Sequence, residues 1–414
     1  MTFSFATSIS LLHNHVIAWV CVRSAGVSDM MPTASVQQAP ARATAPNNAH
    51  SAEHDLARMA YRLTADLAKP NAAIYWTDLL LSAAVGYAAF AIWVVFGMTL
   101  IGIAAAIVSV LALYRCILFI HELTHLRRRT PRGFWTAWHM LVGVPLLLPS
   151  FLYDGIHNLH HSKAHYGTLE DPEYLEFARG RPLHLVLMVP IAAAEPLLLL
   201  IRFLFVVPIA ALVPPFRGHA LAHMSAMVMN PRFERKEPPP FRTSWLILEA
   251  VITIYAWSAF ALVWFGVVPL KIVLMALAVW SGMSLINMVR TLAAHHYEND
   301  GEPIDVVSQL LDTVNVPPPA MLPMLWAPVG LRYHGLHHLL PNLPYHSLGA
   351  AHRRLLEQLP ADSPYRATVH RRITDLLARM LRSQAQHRQA SQNAAENARP
   401  GKTNIKTKIL APSR

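Results

Sequence analysis

Histidine is the residue type whose spacing in this chain indicates chemistry, because ten of its histidines fall into four clusters and nine of these are predicted ligands. The spacings HxxxH and HxxHH, if they lie on a helix, place the rings on one face. Imidazole is a good ligand for iron, zinc or copper, and nine rings exceed what one ion needs, so the pattern predicts two metal ions. The predicted ligands are His121, His125, His157, His160, His161, His295, His334, His337 and His338.

Other histidines provide alternatives and an internal comparison. His296 directly follows His295, and either can supply the ninth ligand, with His295 preferred. The pair His219 and His223 repeats the HxxxH spacing but follows two prolines and has no HxxHH companion, so we expect it not to bind metal. We expect His165 to lie just outside the ligand set. Three further histidines are interpreted as structural or surface residues: His139, His346 and His352.

Acidic residues near the clusters are candidates to accept the outer ring N–H of a ligating histidine, which fixes the orientation of the ring. The same residues could equally be loop charges or helix caps, so spacing alone does not select among them. The candidates are Glu122, Asp171, Glu298, Asp305 and Asp312.

The composition indicates a membrane protein. The chain has 414 residues, of which 54% are hydrophobic and 14% charged, whereas soluble domains carry about 25% charged residues. The net charge of +11 suits an anionic membrane surface, and no zinc-finger spacing or aromatic–basic pattern supports a nucleic-acid partner. The two cysteines, Cys21 and Cys116, are isolated and predict neither a disulfide framework nor an iron–sulfur cluster.

Hydrophobic segments predict two transmembrane hairpins. Each of the four segments is roughly 20 residues or more, enough to cross a hydrocarbon core of about 30 Å. A fifth apolar stretch, residues 185–213, contains Glu195 and Arg202, and charges at mid-membrane depth are costly. We therefore expect helices in or dipping into the interface there. The four predicted spans are residues 74–96, 98–120, 245–265 and 267–286.

The positive-inside rule places every histidine cluster on one side. Arginines follow the first hairpin, precede the second and fill the C-terminal region, whereas the hairpin turns hold only Lys271. Redox chemistry is more consistent with such a membrane-boundary site than structural zinc is. The predicted fold is therefore an all-α integral membrane protein with a dimetal site on its cytoplasmic face; the resemblance described below implies that a cytosolic helical cap holds this site.

The domain organisation is predicted in three parts. Residues 1–70 are expected to be a disordered extension, with a true start near Met31 as an alternative, because residues 30–51 are rich in Ala, Pro, Gln and Thr. Residues 71–370 form the catalytic domain. Residues 371–414 form a basic C-terminal helix followed by a disordered tail.

The histidine clusters resemble the boxes of the membrane fatty acid desaturase superfamily, particularly its bacterial members. The resemblance covers residues 74–365. It includes the segments that flank the boxes, which are Tyr166 to Tyr174, Arg290 to Tyr297 and Leu331 to His346. It implies four transmembrane helices under a cytosolic cap with a non-haem di-iron centre. His121 and His125 match the first box, His157, His160 and His161 the second, and His334, His337 and His338 the third. His295 lies where relatives place an additional ligand.

The resemblance implies an O₂-dependent fatty acyl desaturase that inserts a cis double bond. The substrate would be an acyl lipid, acyl-CoA or acyl-carrier-protein. Since the chain has neither GxGxxG nor a His-Pro-Gly-Gly segment, electrons must come from an external donor of the ferredoxin or cytochrome b5 type. The alternative is a lipid or carotenoid hydroxylase, ketolase or acetylenase. A more remote one is a histidine-rich metal-binding or transport protein. The expected location is the bacterial inner membrane, with the site on the cytoplasmic side.

Overall fold

A computed structural model describes residues 47–175, 177, 182–299, 301–320 and 322–397. Within these ranges the secondary structure is helical, with isolated β-bridges and no strand, which confirms the predicted all-α class. The helices are α1 (Asn47–Thr64), α2 (Ala72–Phe96), α3 (Leu100–Ile117), α4 (Phe119–Leu126), α5 (Phe134–Trp138), α6 (Ile156–His160), α7 (Pro182–Ile201), α8 (Val207–Leu212), α9 (Pro214–Met224), α10 (Arg242–Trp264), α11 (Leu270–Leu292), α12 (Val306–Asp312), α13 (Pro323–Trp326), α14 (His334–Leu339), α15 (Leu348–Gln358) and α16 (Ile373–Asn397).

The first helical hairpin is set by local capping signals. The side chain of Asn71 accepts hydrogen bonds from the backbone N–H groups of Ala73 and Ile74 at 3.0 and 3.4 Å and so caps α2. Gly97, at φ 57°, ends α2 in a conformation that glycine adopts without strain, and Thr99 caps α3. These signals reverse the chain within a few residues, so α2 and α3 pack against each other as antiparallel neighbours.

Five helical segments, rather than four, are long and apolar enough to cross a membrane. Four of them overlap the predicted spans. The fifth runs without a break through the stretch expected to form helices in or dipping into the interface, although it contains three internal prolines, Pro190, Pro196 and Pro208. The five segments are Ala72–Phe96, Leu100–Leu126, Pro182–Leu212, Arg242–Trp264 and Leu270–Leu292.

The positions of the histidines limit how the fifth segment can lie. His125 ends the second segment, and His295 follows the last, yet both belong to one cluster of rings linked through His160. If Pro182–Leu212 crossed completely along with the last two segments, His295 would emerge on the opposite side from His160. The predicted four full spans therefore require that Pro182–Leu212 does not cross the membrane completely, and this topology stays a prediction.

One of the two charges that argued against a span in this region, Arg202, is neutralised by a tertiary partner. Arg202 lies where the helix between α7 and α8 widens into a π-helical turn, and its guanidinium is 3.1 Å from Glu249 of α10. Arg217 of α9 contacts the other oxygen of Glu249 at 2.7 Å. A buried arginine is tolerated when a carboxylate lies beside it, so these pairs fasten α7–α9 to α10.

The structure differs from the predicted N-terminal extension. Residues 47–67, assigned to the disordered part, are helical, and α1 packs through Leu56 and Ala60 against α15. Arg354 of α15 also pairs with Asp66. The reason is amphipathicity, because apolar residues at helical spacing cover the apolar face of α15. The remainder of the predicted extension, residues 1–46, and the proposed start at Met31 lie outside the described residues.

Candidate metal centre

The helix ends of the first hairpin and two short cap helices carry the three histidine boxes. α4 forms the last part of the segment Leu100–Leu126 and holds His121 and His125 one turn apart. α6 holds the second box, which ends at His161, and α14 holds the third. On each helix the box spacing turns its rings to one side, as the sequence predicts.

The nine predicted ligands converge as two adjoining groups of buried imidazoles. In each group one nitrogen from every ring lies within 4.8 Å of those of its neighbours. The first group is His121, His125, His157, His161 and His337, and the second is His160, His295, His334 and His338. The groups touch where His161 of the first stacks on His338 of the second, with 4.1 Å between ring centroids.

The ring nitrogens approach one another at regular short distances. In the first group the Nε2 atom of His337 lies 3.1 Å from that of His125 and 3.0 Å from that of His161. In the second group the Nε2 atom of His295 lies 3.2 Å from that of His160 and 2.9 Å from that of His334. Each group therefore presents several Nε2 atoms to one point.

Asp171 orients the ring of His160. Both carboxylate oxygens lie 3.0–3.1 Å from His160 Nδ1, and the carboxylate also accepts the backbone N–H groups of Gly167 and Glu173 at 2.7 and 2.9 Å. Asp171 is fully buried. It thus occupies the predicted position of an outer partner that fixes which ring nitrogen carries the proton.

Two other ligand rings have outer partners of the same kind. His157 Nδ1 lies 2.8 Å from Glu173 and 2.8 Å from the hydroxyl of Tyr153. His295 Nδ1 lies 2.8 Å from the hydroxyl of Tyr166, which donates to Asp312, also at 2.8 Å. Asp312 thus reaches His295 through a tyrosine rather than directly.

Glu173 and the two tyrosines are missing from the predicted partners. A signal for Glu173 was present, since it lies two residues after Asp171 in the segment that resembles bacterial desaturases. Three predicted acids have other roles. Glu122 accepts the hydroxyl of Tyr75, Glu298 pairs with Arg379, and Asp305 caps α12 through Ser308.

The other histidines in the part of the chain that the structure describes lie outside both groups. His296 stacks edge-on against His370 and lies 3.4 Å from Arg379, which leaves His295 as the member of the pair in the second group. His165 contacts Ser162, and His219 and His223 lie together on α9. The residues interpreted as structural have ordinary partners: His139 with Trp135 and Ser150, His346 with Asn71, and His352 with Tyr365.

The electrostatic environment keeps the rings neutral. Burial lowers the pKa of His161, His334 and His338 well below its ordinary value, and the neighbouring imidazoles lower it further. His160 is the exception. Burial alone would lower its pKa, but the Asp171 carboxylate raises it, which makes this ring a stronger electron donor.

These observations fit metal ions. Where Asp171 and Glu173 hold a proton on Nδ1, the Nε2 atom carries a lone pair, and several lone pairs about 3 Å apart repel unless a cation lies between them. Neighbouring ligands at right angles, with metal–nitrogen bonds of about 2.1 Å, would themselves be about 3 Å apart. Both nitrogens of His121 are buried without a hydrogen-bond partner, although the ring lies 4.2 Å from that of His337. The donor set suits two transition-metal ions with open positions.

A short backbone segment, residues 313–315, joins His295 to the third box. The N–H of Val314 donates to Ala294 O at 3.0 Å, and the N–H of Gly335 donates to Val314 O at 3.1 Å. Gly335 lies directly after His334, and a Cβ built on it would be 2.9 Å from the side-chain nitrogen of Asn315 and 3.0 Å from Thr313 Oγ1. The contact requires glycine because α14 lies directly against this segment.

We predict that Gly335→Ala displaces α14 by a few tenths of an ångström and reduces bound iron and activity by about tenfold, since ligand geometry is sensitive to such shifts. Iron per chain and turnover of the purified protein measure the effect. Gly218→Ala on α9 is the control, because its Cβ would meet nothing within 4 Å. Unchanged iron content in Gly335→Ala would show that the contact does not set the position of the box.

Comparison with known proteins agrees with this architecture. Residues 98–369 match the family model described as "Fatty acid desaturase". The chain is 45% identical over 338 residues to a ceramide hydroxylase of Caulobacter vibrioides (strain NA1000 / CB15N), and the match covers 82% of this chain and 96% of that relative. No solved structure matches this chain.

Proposed function

This chain belongs to the fatty acid desaturase family, and we propose that it is a membrane lipid hydroxylase acting on a ceramide-type substrate with O₂. Membership makes it an oxidoreductase that acts with O₂. The observation that carries the finer proposal is the 45% identity to a ceramide hydroxylase over nearly the whole length of that relative. This favours the hydroxylase alternative over the desaturase interpretation.

We propose that the nine clustered histidines hold two iron ions, five rings around one and four around the other. The chemistry that such a pair supplies is activation of O₂, so that a C–H bond, O₂, two electrons and two protons become C–OH and water. The electrons come from an external protein donor, since the sequence contains no recognisable reductase motif.

The contribution of the chain's own residues is orientation and exclusion of water. Asp171 and Glu173 hold the outer ring protons of His160 and His157, so that both Nε2 atoms face inward. Six of the nine histidines are buried, and His125, His161 and His338 are partly buried, so the helix ends and the cap limit the access of bulk water to the centre. The outcome, hydroxylation or desaturation, then depends on which substrate hydrogen the chain positions there.

We place the site on the cytoplasmic side of the bacterial inner membrane. Support comes from the arginines that follow α4 and precede α10, on the same side as the histidine boxes. This placement gives a soluble cytoplasmic electron donor access to the cap. It also places the substrate entrance at the level of the lipid headgroups.

Expression in a host that makes ceramides tests the proposed reaction. We expect a new lipid heavier than its precursor by one oxygen atom, and no product lighter by two hydrogens, when extracts are compared by mass spectrometry. His160→Ala should abolish the product because it removes a ligand and the partner of Asp171, whereas His219→Ala should leave it unchanged. A product with a new double bond would instead identify a desaturase.

A further inference from the structure

A mostly apolar cavity lies beside the histidine groups. Its volume is about 230 Å³, and it lies between α7, α11 and the segment 226–233. Residues at helical spacing on α7, such as Met188, Ile191 and Leu199, form one wall. Tyr153 and Glu173, which both contact His157, also line it, so these two side chains connect the cavity wall to the first histidine group.

Four charged side chains line this apolar space, and two of them have partners that explain them. Arg202 pairs with Glu249, and Glu173 contacts His157. Arg290 of α11 and Glu195 of α7 are different: within the described residues neither forms an ion pair. Arg290 has no ion-pair partner within 4 Å in the described part of the chain, although its charge partly offsets the effect of burial, which raises the pKa of Glu173. Polar groups inside an apolar cavity favour a ligand that forms hydrogen bonds with them.

The polar side chains next to Arg290 and Glu195 on α11 are neutral. The guanidinium of Arg290 donates to the side-chain oxygen of Asn287 and to the hydroxyl of Thr291, both at 3.0 Å. Glu195 faces Ser284 of α11. Ser284, Asn287 and Thr291 recur at helical spacing, so α11 turns one polar stripe toward the cavity, with Ser284 and Arg290 about 9 Å apart along the helix.

We propose that this cavity binds the neutral polar head of the lipid substrate, with Arg290 donating to a carbonyl oxygen and Glu195 accepting from a hydroxyl or amide N–H. The inference rests on the proposed function and specifies its substrate class. An N-acyl amide that carries hydroxyl groups supplies both an acceptor and donors. A phosphate head or a free carboxylate would suit Arg290 but would bring negative charge beside Glu195 and Glu173, so the cavity discriminates against acidic lipids.

Steady-state kinetics of the iron-loaded full chain in lipid nanodiscs tests the proposal, with ceramide and ceramide 1-phosphate as substrates. Arg290→Gln should raise KM for ceramide by about tenfold, with kcat changed by less than about twofold, since one charge-assisted hydrogen bond to the substrate is lost. Arg290→Lys should recover part of the loss. Glu195→Gln should lower the ratio of kcat/KM for ceramide to kcat/KM for ceramide 1-phosphate. Arg242→Gln, an exposed arginine at the start of α10, is the control.

Binding without turnover separates this inference from the proposed reaction. Ceramide should raise the unfolding temperature of the metal-free wild-type chain, and the increase should be lost in Arg290→Gln but kept in Arg242→Gln. These results would support the cavity assignment even if the product were a desaturated lipid. The inference is overturned if Arg290→Gln and Glu195→Gln leave both KM and the ceramide-induced stabilisation at wild-type values, or if kcat alone falls.

Discussion

Replacing His295 by alanine is expected to lower hydroxylated product by a hundredfold or more, whereas His296→Ala should retain most of the activity. His295 supplies one of the four nitrogens of the second group, 3.2 Å from His160 Nε2 and 2.9 Å from His334 Nε2. Loss of one of four ligands should exceed the 10–100-fold effect typical of residues that only orient a ligand. The two variants make a matched pair, because each replaces a histidine by alanine and the two positions are adjacent in the sequence.

Iron content provides the second measurement for this pair. His295→Ala should leave about one iron per chain, held by the intact five-histidine group, and His296→Ala should leave two. Unfolding temperature and gel filtration show whether each variant is folded, because His296 packs against His370 and lies near Arg379. Equal loss of iron in both variants, or loss only in His296→Ala, would refute the assignment of His295.

Asp171→Asn is expected to reduce activity and iron affinity by 10–100-fold. The carboxylate accepts from three donors at once: His160 Nδ1 and the backbone N–H groups of Gly167 and Glu173. An amide presents one NH₂ group in place of an oxygen, so in either orientation one of these donors faces another donor. The ring of His160 then loses its fixed tautomer and direction, and its Nε2 atom faces the centre less often.

The control for this substitution is Asp305→Asn. Asp305 is exposed and caps α12 by accepting from the N–H of Ser308 at 2.8 Å, a role that asparagine performs equally well. The activity of the Asp305→Asn variant should therefore remain at the wild-type value. A chelator titration followed by residual activity measures iron affinity directly. Wild-type affinity in Asp171→Asn would mean that His160 is oriented by packing alone.

The residues that the structure brings together were largely readable from the sequence. Box spacing depends on helix periodicity within five residues, and such local geometry holds whatever surrounds the helix. The first hairpin was likewise readable, because roughly 20 apolar residues and a turn are local signals. The two helices predicted as the second hairpin instead pack mainly on other elements, α10 on Arg202–Val206 and α11 on α7 and α3. All nine predicted ligands lie in the two groups, and their metal binding stays a prediction for the experiments above to test.

The choice among neighbouring candidates was not readable from the sequence. His295 forms an isolated bridge with Thr313, and consecutive residues of such extended backbone face opposite directions, so His296 turns away from the second group. The pattern of the sequence does not reveal which of the two faces inward. The same holds for the acids: Asp171 meets a ligand ring, whereas Glu122 meets Tyr75.

The sequence by itself determined that helices end in histidine clusters at a membrane boundary, because composition and periodicity act within one segment. Only the tertiary structure decided which distant groups share a site. His160 and His295 are 135 residues apart, and the partner of Arg202, Glu249, is 47 residues away on another helix. Such pairings arise from packing between segments, where burial makes a neutralising partner necessary but leaves its position in the sequence unspecified.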